Sequence, residues 1–177
     1  VPVEVAVVGD AKASLQYLAP MITNTPRPDW MQYIENLKQD HPSLNIPAGD
    51  MLQPQQVISA LDTLVQEDPE TTVVTGVGQH QMWAAQFLTF NHENTFVSSG
   101  GLGAMGFELP AALGVQVGKP GAPVWTVAGD GGFQMTLQEL VTLTEEKLPV
   151  KIALINNGYL GMVKQWQEMY FDGHLKA

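Results

Sequence analysis

Two short stretches place oxygen donors at a spacing that could do chemistry. Gly129-Asp130-Gly131-Gly132 follows the apolar run from Val124 to Ala128, and Asn156-Asn157 follows the run from Val150 to Ile155. A carboxylate beside an amide oxygen suits a hard cation, and Mg²⁺ usually takes one or two protein carboxylates and fills its other positions with phosphate oxygens and water. Gly129, Gly131 and Gly132 let backbone approach a ligand closely, and the helix expected after them aims free N–H groups at whatever lies in front. Magnesium diphosphate fits that arrangement. Taken singly, Gly-Asp-Gly is a tight turn and Asn-Asn a polar strand end; the spacing of the two is what favours a site.

That spacing is set by the elements between them. A helix of about fifteen residues runs back ~22 Å at 1.5 Å per residue. A six-residue strand at about 3.3 Å per residue returns ~20 Å. A right-handed crossover therefore brings Asp130 and Asn157 to the same rim of a parallel sheet. The same pattern recurs along the chain. Helix Pro54–Glu67 leads to strand TTVVT and the turn GVGQH, then to helix QMWAAQFL. Strand TFVSS leads to a glycine stretch and helix ELPAALGVQVG, with Pro110 tolerable only in its first turn. Strand VWTVA precedes GDGG and a single helix FQMTLQELVTLTEEK; strand VKIALI precedes NNGYLG and helix MVKQWQEMYF. Strands alternating with helices predict an α/β fold, a parallel sheet with helices on both faces in three layers, flavodoxin-like, preceded by a short remnant of another α/β domain.

The remnant is read as a strand Val3–Val8, a helix ASLQYLAPMI that Pro20 ends or kinks, and a helix from about Trp30 to Lys38. Residues 41–54 hold three prolines and a glycine and make the best linker, so a boundary is placed near residue 50, with domains 1–50 and 51–177. The chain opens on Val1 and stops after a helical pattern, which reads as a piece of a longer protein.

Composition narrows the partners. A net charge of -10, from 18 acidic and 8 basic residues, opposes nucleic acid, so any phosphate must be bound locally. Zero cysteines remove disulfides, iron–sulfur clusters and thiolate nucleophiles. No apolar run reaches membrane-spanning length and no signal peptide is evident, so the chain is read as soluble and cytoplasmic.

One motif competes. Gly101-Leu102-Gly103-Ala104-Met105-Gly106 fits G-x-G-x-x-G, and Asp130 lies where a ribose-binding carboxylate would be expected, so an NAD-binding or non-catalytic α/β module is the more distant alternative.

Gly129-Asp130-Gly131, followed after some 26 residues by Asn156-Asn157, resembles the thiamine diphosphate motif. The stretches GVGQHQMWAAQF, SSGGLGAMGFELPAALG and NNGYLGMVKQWQEMYF narrow the resemblance to the large catalytic subunit of the acetohydroxyacid synthase (acetolactate synthase) family, over roughly residues 53–172. The resemblance implies thiamine diphosphate and Mg²⁺ as cofactors, with the metal held by the side chains of Asp130 and Asn157 and the backbone carbonyl of Tyr159. It implies diphosphate contacts from Gly78, Gln79 and His80, with Gly129, Gly131, Gly132, Gly161 and Met162 also at the cofactor. Backbone at Gly103 and Met105 would meet the aminopyrimidine ring, the Met105 side chain would prop the cofactor into a bent shape, and Trp166 would help choose the second 2-oxoacid. An unbranched, polarizable methionine suits such a wedge, although core filling is its ordinary use. Met162, Trp166, Met169 and Tyr170 share one helical face, by default a packing stripe. Met135 is read as lining the same cavity or as packing in the core.

The activity implied is decarboxylation of pyruvate and transfer of the two-carbon unit to pyruvate or 2-oxobutyrate, in branched-chain amino-acid biosynthesis. No catalytic residue is expected in this chain, because the activating glutamate belongs to an N-terminal domain of a partner subunit. The fragment alone is therefore expected to be inactive. The resemblance also implies a homodimer or higher oligomer with a shared active site, a regulatory small subunit, FAD in the full-length enzyme only, and a cytoplasmic or, in a eukaryote, plastidic location. Nearer alternatives are other thiamine enzymes: pyruvate oxidase, glyoxylate carboligase or the catabolic acetolactate synthase. Glu108 departs from the pattern, since related sequences usually carry a small residue there.

Overall fold

A computed structural model describes residues 2–46 and 48–175; Pro47, one of the linker prolines, lies outside the described residues. The chain divides into two compact units, 1–43 and 44–177. In the first, α1 (Ala11–Leu18) is capped by Asp10, whose Oδ1 accepts from the Ala13 amide at 2.8 Å. It passes into a 3₁₀ turn at Ala19–Met21, where Pro20 removes the amide that a continuing helix would need. The second helix, α2 (Pro28–Asp40), starts with proline at its first position, where a missing N–H does no harm. The expected strand Val3–Val8 does not form. A strand needs a neighbour for its amides and carbonyls, the described residues of this unit contain no second strand, and Val3, Val5, Val7 and Val8 stay exposed.

The second unit is a four-stranded parallel sheet in the order β2-β1-β3-β4, built from β1 (Thr72–Thr75), β2 (Phe96–Ser98), β3 (Val124–Gly129) and β4 (Lys151–Ile155). Side chains alternate across it, so neighbouring residues serve opposite faces. Val73, Val127 and Ile155 pack under α3 (Pro54–Val65) and α4 (Gln79–Phe87) through Ile58, Leu61, Val65, Ala84 and Leu88. Val74 and Val124 pack on the other side against Ala112 of α5 (Glu108–Gly118). The three-layer α/β fold expected from the alternation is therefore present. β1 is buried along its whole length, as a central parallel strand must be, and its TVVT sequence shows no polar alternation for that reason.

Between β3 and β4 the single helix expected is two. α6 spans Asp130–Met135, α7 spans Glu139–Glu145 and lies beside α5, and Thr136 leaves the helical region at φ -132°, ψ 20°. The break has a tertiary partner: the Thr136 hydroxyl donates to the Gly106 carbonyl at 2.9 Å, fastening the chain to the glycine loop while its backbone amide closes the turn on the Phe133 carbonyl at 3.4 Å. The last helix, α8, spans Gly161–Tyr170. Among the described residues no helix is long and apolar enough to cross a membrane.

Candidate functional site

Strand order 2-1-3-4 puts the topological switch between β1 and β3, because the chain leaves β1 to one side and returns to continue on the other. Open parallel sheets bind ligands in the crevice beyond the strand ends at that point. A cleft of about 220 Å³ lies there. Its walls come from the ends of three strands: Val77, Gly78, Gln79 and His80 after β1; Gly129 to Gly132 at β3 and α6; and Asn157, Tyr159 and Leu160 after β4. Gly103 and Met105 reach it from the loop before α5, and Gly161, Met162 and Val163 from the first turn of α8.

Asp130 and Asn157 thus line one cavity. β3 and β4 are hydrogen-bonded neighbours with Gly129 opposite Ile155, so the two side chains leave adjoining strand ends. Asn157 is held twice. Its Oδ1 accepts from the Tyr159 amide at 3.1 Å and its Nδ2 donates to Gln79 Oε1 at 3.3 Å, while Gln79 Nε2 donates to Gln165 Oε1 of α8 at 3.0 Å. The first of these is an Asx turn, which aims the Asn157 side chain along its own loop and leaves Oδ1 a second lone pair. Lys164 Nζ lies 3.6 Å from the centroid of the ring of Tyr159, another residue of the cleft.

The glycines of the rim are needed for closeness. A Cβ at Gly131 would stand 2.6 Å from Leu160 Cδ2, and one at Gly129 would stand 2.7 Å from His80 Nδ1. His80 itself is buried, and its Nε2 has no hydrogen-bond partner although the residue lines the cleft. Burial lowers its pKa to about 4, the Asp130 carboxylate pulling weakly the other way, so the ring is neutral at pH 7 and can offer an N–H.

All thirteen residues expected at the cofactor border this one cleft. Two other expectations fare differently. Trp166 is exposed and stacks at 5.0 Å on Tyr170, one turn along α8 from the cleft-lining Met162. Met135 is not in the cavity: its side chain is about half exposed and its Cβ lies against Gly106. Trp83, Leu160 and Val163 also line the cleft and were not singled out from sequence, where they look like ordinary helix and loop apolar residues.

The G-x-G-x-x-G stretch follows β2, the edge strand, and Leu102 within it is almost fully exposed. A dinucleotide fingerprint belongs after the strand at the switch point, so the topology turns against the NAD reading.

Residues 76–177 match the family model described as "Thiamine pyrophosphate enzyme, C-terminal TPP binding domain". The chain belongs to that family. As a thiamine pyrophosphate enzyme C-terminal domain it is similar to the acetolactate synthase large subunit of Corynebacterium glutamicum, at 48% identity over 97% of this chain and 28% of the relative. It is 46% identical to the acetolactate synthase of Mycobacterium leprae over 96% of this chain and 28% of the relative. The chloroplastic acetolactate synthase of Arabidopsis thaliana is 43% identical over 96% of this chain and 26% of its own length. The domain with its preceding unit thus spans little more than a quarter of these relatives.

Proposed function

We propose that this chain is the part of an acetolactate synthase large subunit that holds the magnesium and the diphosphate of thiamine diphosphate. The observation that carries the proposal is the convergence, at the switch point, of Asp130, Asn157 and Tyr159 with an unpartnered buried imidazole nitrogen and a run of glycines. The fit is chemical as well as steric. Among the described residues no group of three or more His, Asp or Glu could hold a metal, so a cation here would need oxygens from a ligand, which is how Mg²⁺ is usually bound. His80 Nε2, neutral and carrying its proton, would donate to a diphosphate oxygen together with the Gln79 side chain and the Gly78 backbone. Gly103 and Met105 would sit against the aminopyrimidine, with the methionine as wedge. Gly161 and Met162 would close the cofactor from the α8 side, and Trp166, farther along that helix, would meet the second 2-oxoacid.

The chemistry supplied by bound thiamine diphosphate is a stabilised carbanion, which in the proposed reaction carries the two-carbon unit of a decarboxylated 2-oxoacid to pyruvate or 2-oxobutyrate. This chain contributes binding and orientation. The glutamate that activates the cofactor would come from another domain of a partner subunit, so the 177-residue chain alone would make no acetolactate. The complete enzyme would be a homodimer or larger, with FAD outside this segment and a regulatory small subunit, in the cytoplasm or a plastid.

Calorimetry tests the site. Thiamine diphosphate with Mg²⁺ should give heat that a chelator removes, and NAD should give none; NAD binding without thiamine diphosphate binding would overturn the reading. For the complete enzyme, product analysis with pyruvate should show acetolactate. Acetyl phosphate or tartronate semialdehyde instead would point to a different thiamine enzyme.

A further inference from the structure

Glu108 is fully buried at the start of α5, and neither carboxyl oxygen has a hydrogen-bond partner. Acidic side chains are almost never buried without a partner, and each such group calls for an explanation. What surrounds this one is backbone. A Cβ at Gly132 would stand 2.6 Å from Glu108 Oε1, and a Cβ at Gly76 would collide with the same carboxyl group. The Gly106 amide nitrogen is 3.4 Å from that Gly132 position, and Gly106 is itself clamped to α6, since a Cβ there would meet Met135 Cβ at 3.0 Å and Thr136 Cγ2 at 3.1 Å. Gly76 and Gly132 therefore leave the space that the Glu108 carboxyl fills, with the Gly106 amide beside it.

Each of those segments leads directly into the cleft. Gly76 precedes Val77 and Gly78, Gly106 follows Met105, and Gly132 lies two residues after Asp130 in the first turn of α6. We infer that Glu108 is a positioning residue that keys the first turn of α6, and with it Asp130, to the end of β1 and to the loop carrying Met105. The inference rests on the diphosphate reading only for what the keyed parts do; that Glu108 holds them together is a separate matter of geometry. The side chain acts by shape, as a neutral acid. Burial raises its pKa, the nearby amides of Glu108 and Gly106 opposing this without reaching hydrogen-bonding geometry, and among the described residues no cation pairs with the carboxyl. A residue of the same length and no charge should therefore replace it, and a shorter one should let α6 drift from the loop.

The test uses the whole chain with Glu108→Gln, Glu108→Asp and Glu108→Ala, each at a temperature where circular dichroism shows it folded. Two readouts are taken: binding of inorganic pyrophosphate with excess Mg²⁺ by calorimetry, and the ¹³C-methyl resonance of Met105 without ligand. Glu108→Ala should weaken pyrophosphate binding about tenfold or more, as sub-ångström to ångström misplacement of a binding group does, and should shift the Met105 methyl. Glu108→Asp, which withdraws the carboxyl by one methylene at little cost in volume, should do both to a smaller extent. Glu108→Gln should bind as the natural chain does and leave the methyl in place. Unchanged binding and an unshifted Met105 in the alanine and aspartate variants would overturn the inference, as would equal losses in all three. A natural chain that takes up no pyrophosphate would overturn the diphosphate reading instead, and the Met105 methyl would still decide whether Glu108 holds the loop.

Discussion

The two units of this chain are both rich in apolar side chains, yet among the described residues only the second buries any. In α1 and α2 no described residue is buried, and Leu15, Trp30, Met31 and Tyr33 lie exposed. In the second unit Ile58, Val73, Val74, Leu109 and Val127 are fully enclosed. The helices of the first unit have the same stripe-like spacing as α3, so the difference does not lie in local pattern. It lies in whether a sheet is present to receive the stripe, because helical stability comes mostly from packing an apolar face.

That contrast can be measured. Ile58→Ala should lower the unfolding free energy by roughly 2–5 kcal/mol, the range for large-to-small changes in a packed core. Leu15→Ala should change it by less than about 0.5 kcal/mol, as exposed substitutions usually do. Urea titrations of the two variants check both, and equal effects would show that α1 is packed in solution in a way its exposure denies.

Within the second unit the rim should behave unlike the core beneath it. Asp130→Ala should leave the urea midpoint within error while weakening Mg²⁺-dependent pyrophosphate binding by roughly 100-fold, since even losing an outer-shell partner costs on the order of 10–100-fold. A binding constant that survives the substitution would remove Asp130 from the metal site.

Two buried ionisable groups beneath and beside the cleft should pull stability in opposite directions with pH. The folded chain keeps a proton on Glu108 that the unfolded chain releases near 4.5, so this group's contribution is lost as pH rises above that value. Glu108→Gln should accordingly gain on the natural chain in urea midpoints as pH rises above 4.5. His80 is the reverse case. The unfolded chain takes up its proton near 6.5 and the folded chain only near 4, so stability is lost as pH falls through that interval. The smallest effect is spectroscopic: the His80 Cε1–H signal should not move between pH 8 and 5.5, and a midpoint near 6.5 would show the ring to be solvated.

Much of the second unit was legible from pattern. Short β-branched runs separated by helical stretches of ten or more residues specify a parallel sheet, and the residues just after each run specify its ligand edge. Helix α5 begins where ELPAALG suggests, because Pro110 is allowed only in a first turn. Two readings failed for one reason, which is that each depended on a partner remote in sequence. Val3–Val8 is strand-like but finds no strand to pair with. FQMTLQELVTLTEEK is helical throughout in propensity, yet Thr136 prefers the Gly106 carbonyl, thirty residues back. Met135, read as lining the cavity or packing in the core, instead stands outside the cavity with its Cβ against Gly106.

The sequence by itself determined the alternation of elements, the family and most of the residues that border the cleft, because these follow from side-chain type, turn chemistry and the arithmetic of rise per residue. Only the tertiary structure decided that the glycine-rich loop hangs from an edge strand, that α6 stops after six residues, and that the Glu108 carboxyl takes the space left by Gly76 and Gly132. Those features arise where backbone meets backbone across the fold, and a glycine in a sequence does not say what will occupy the space it leaves open.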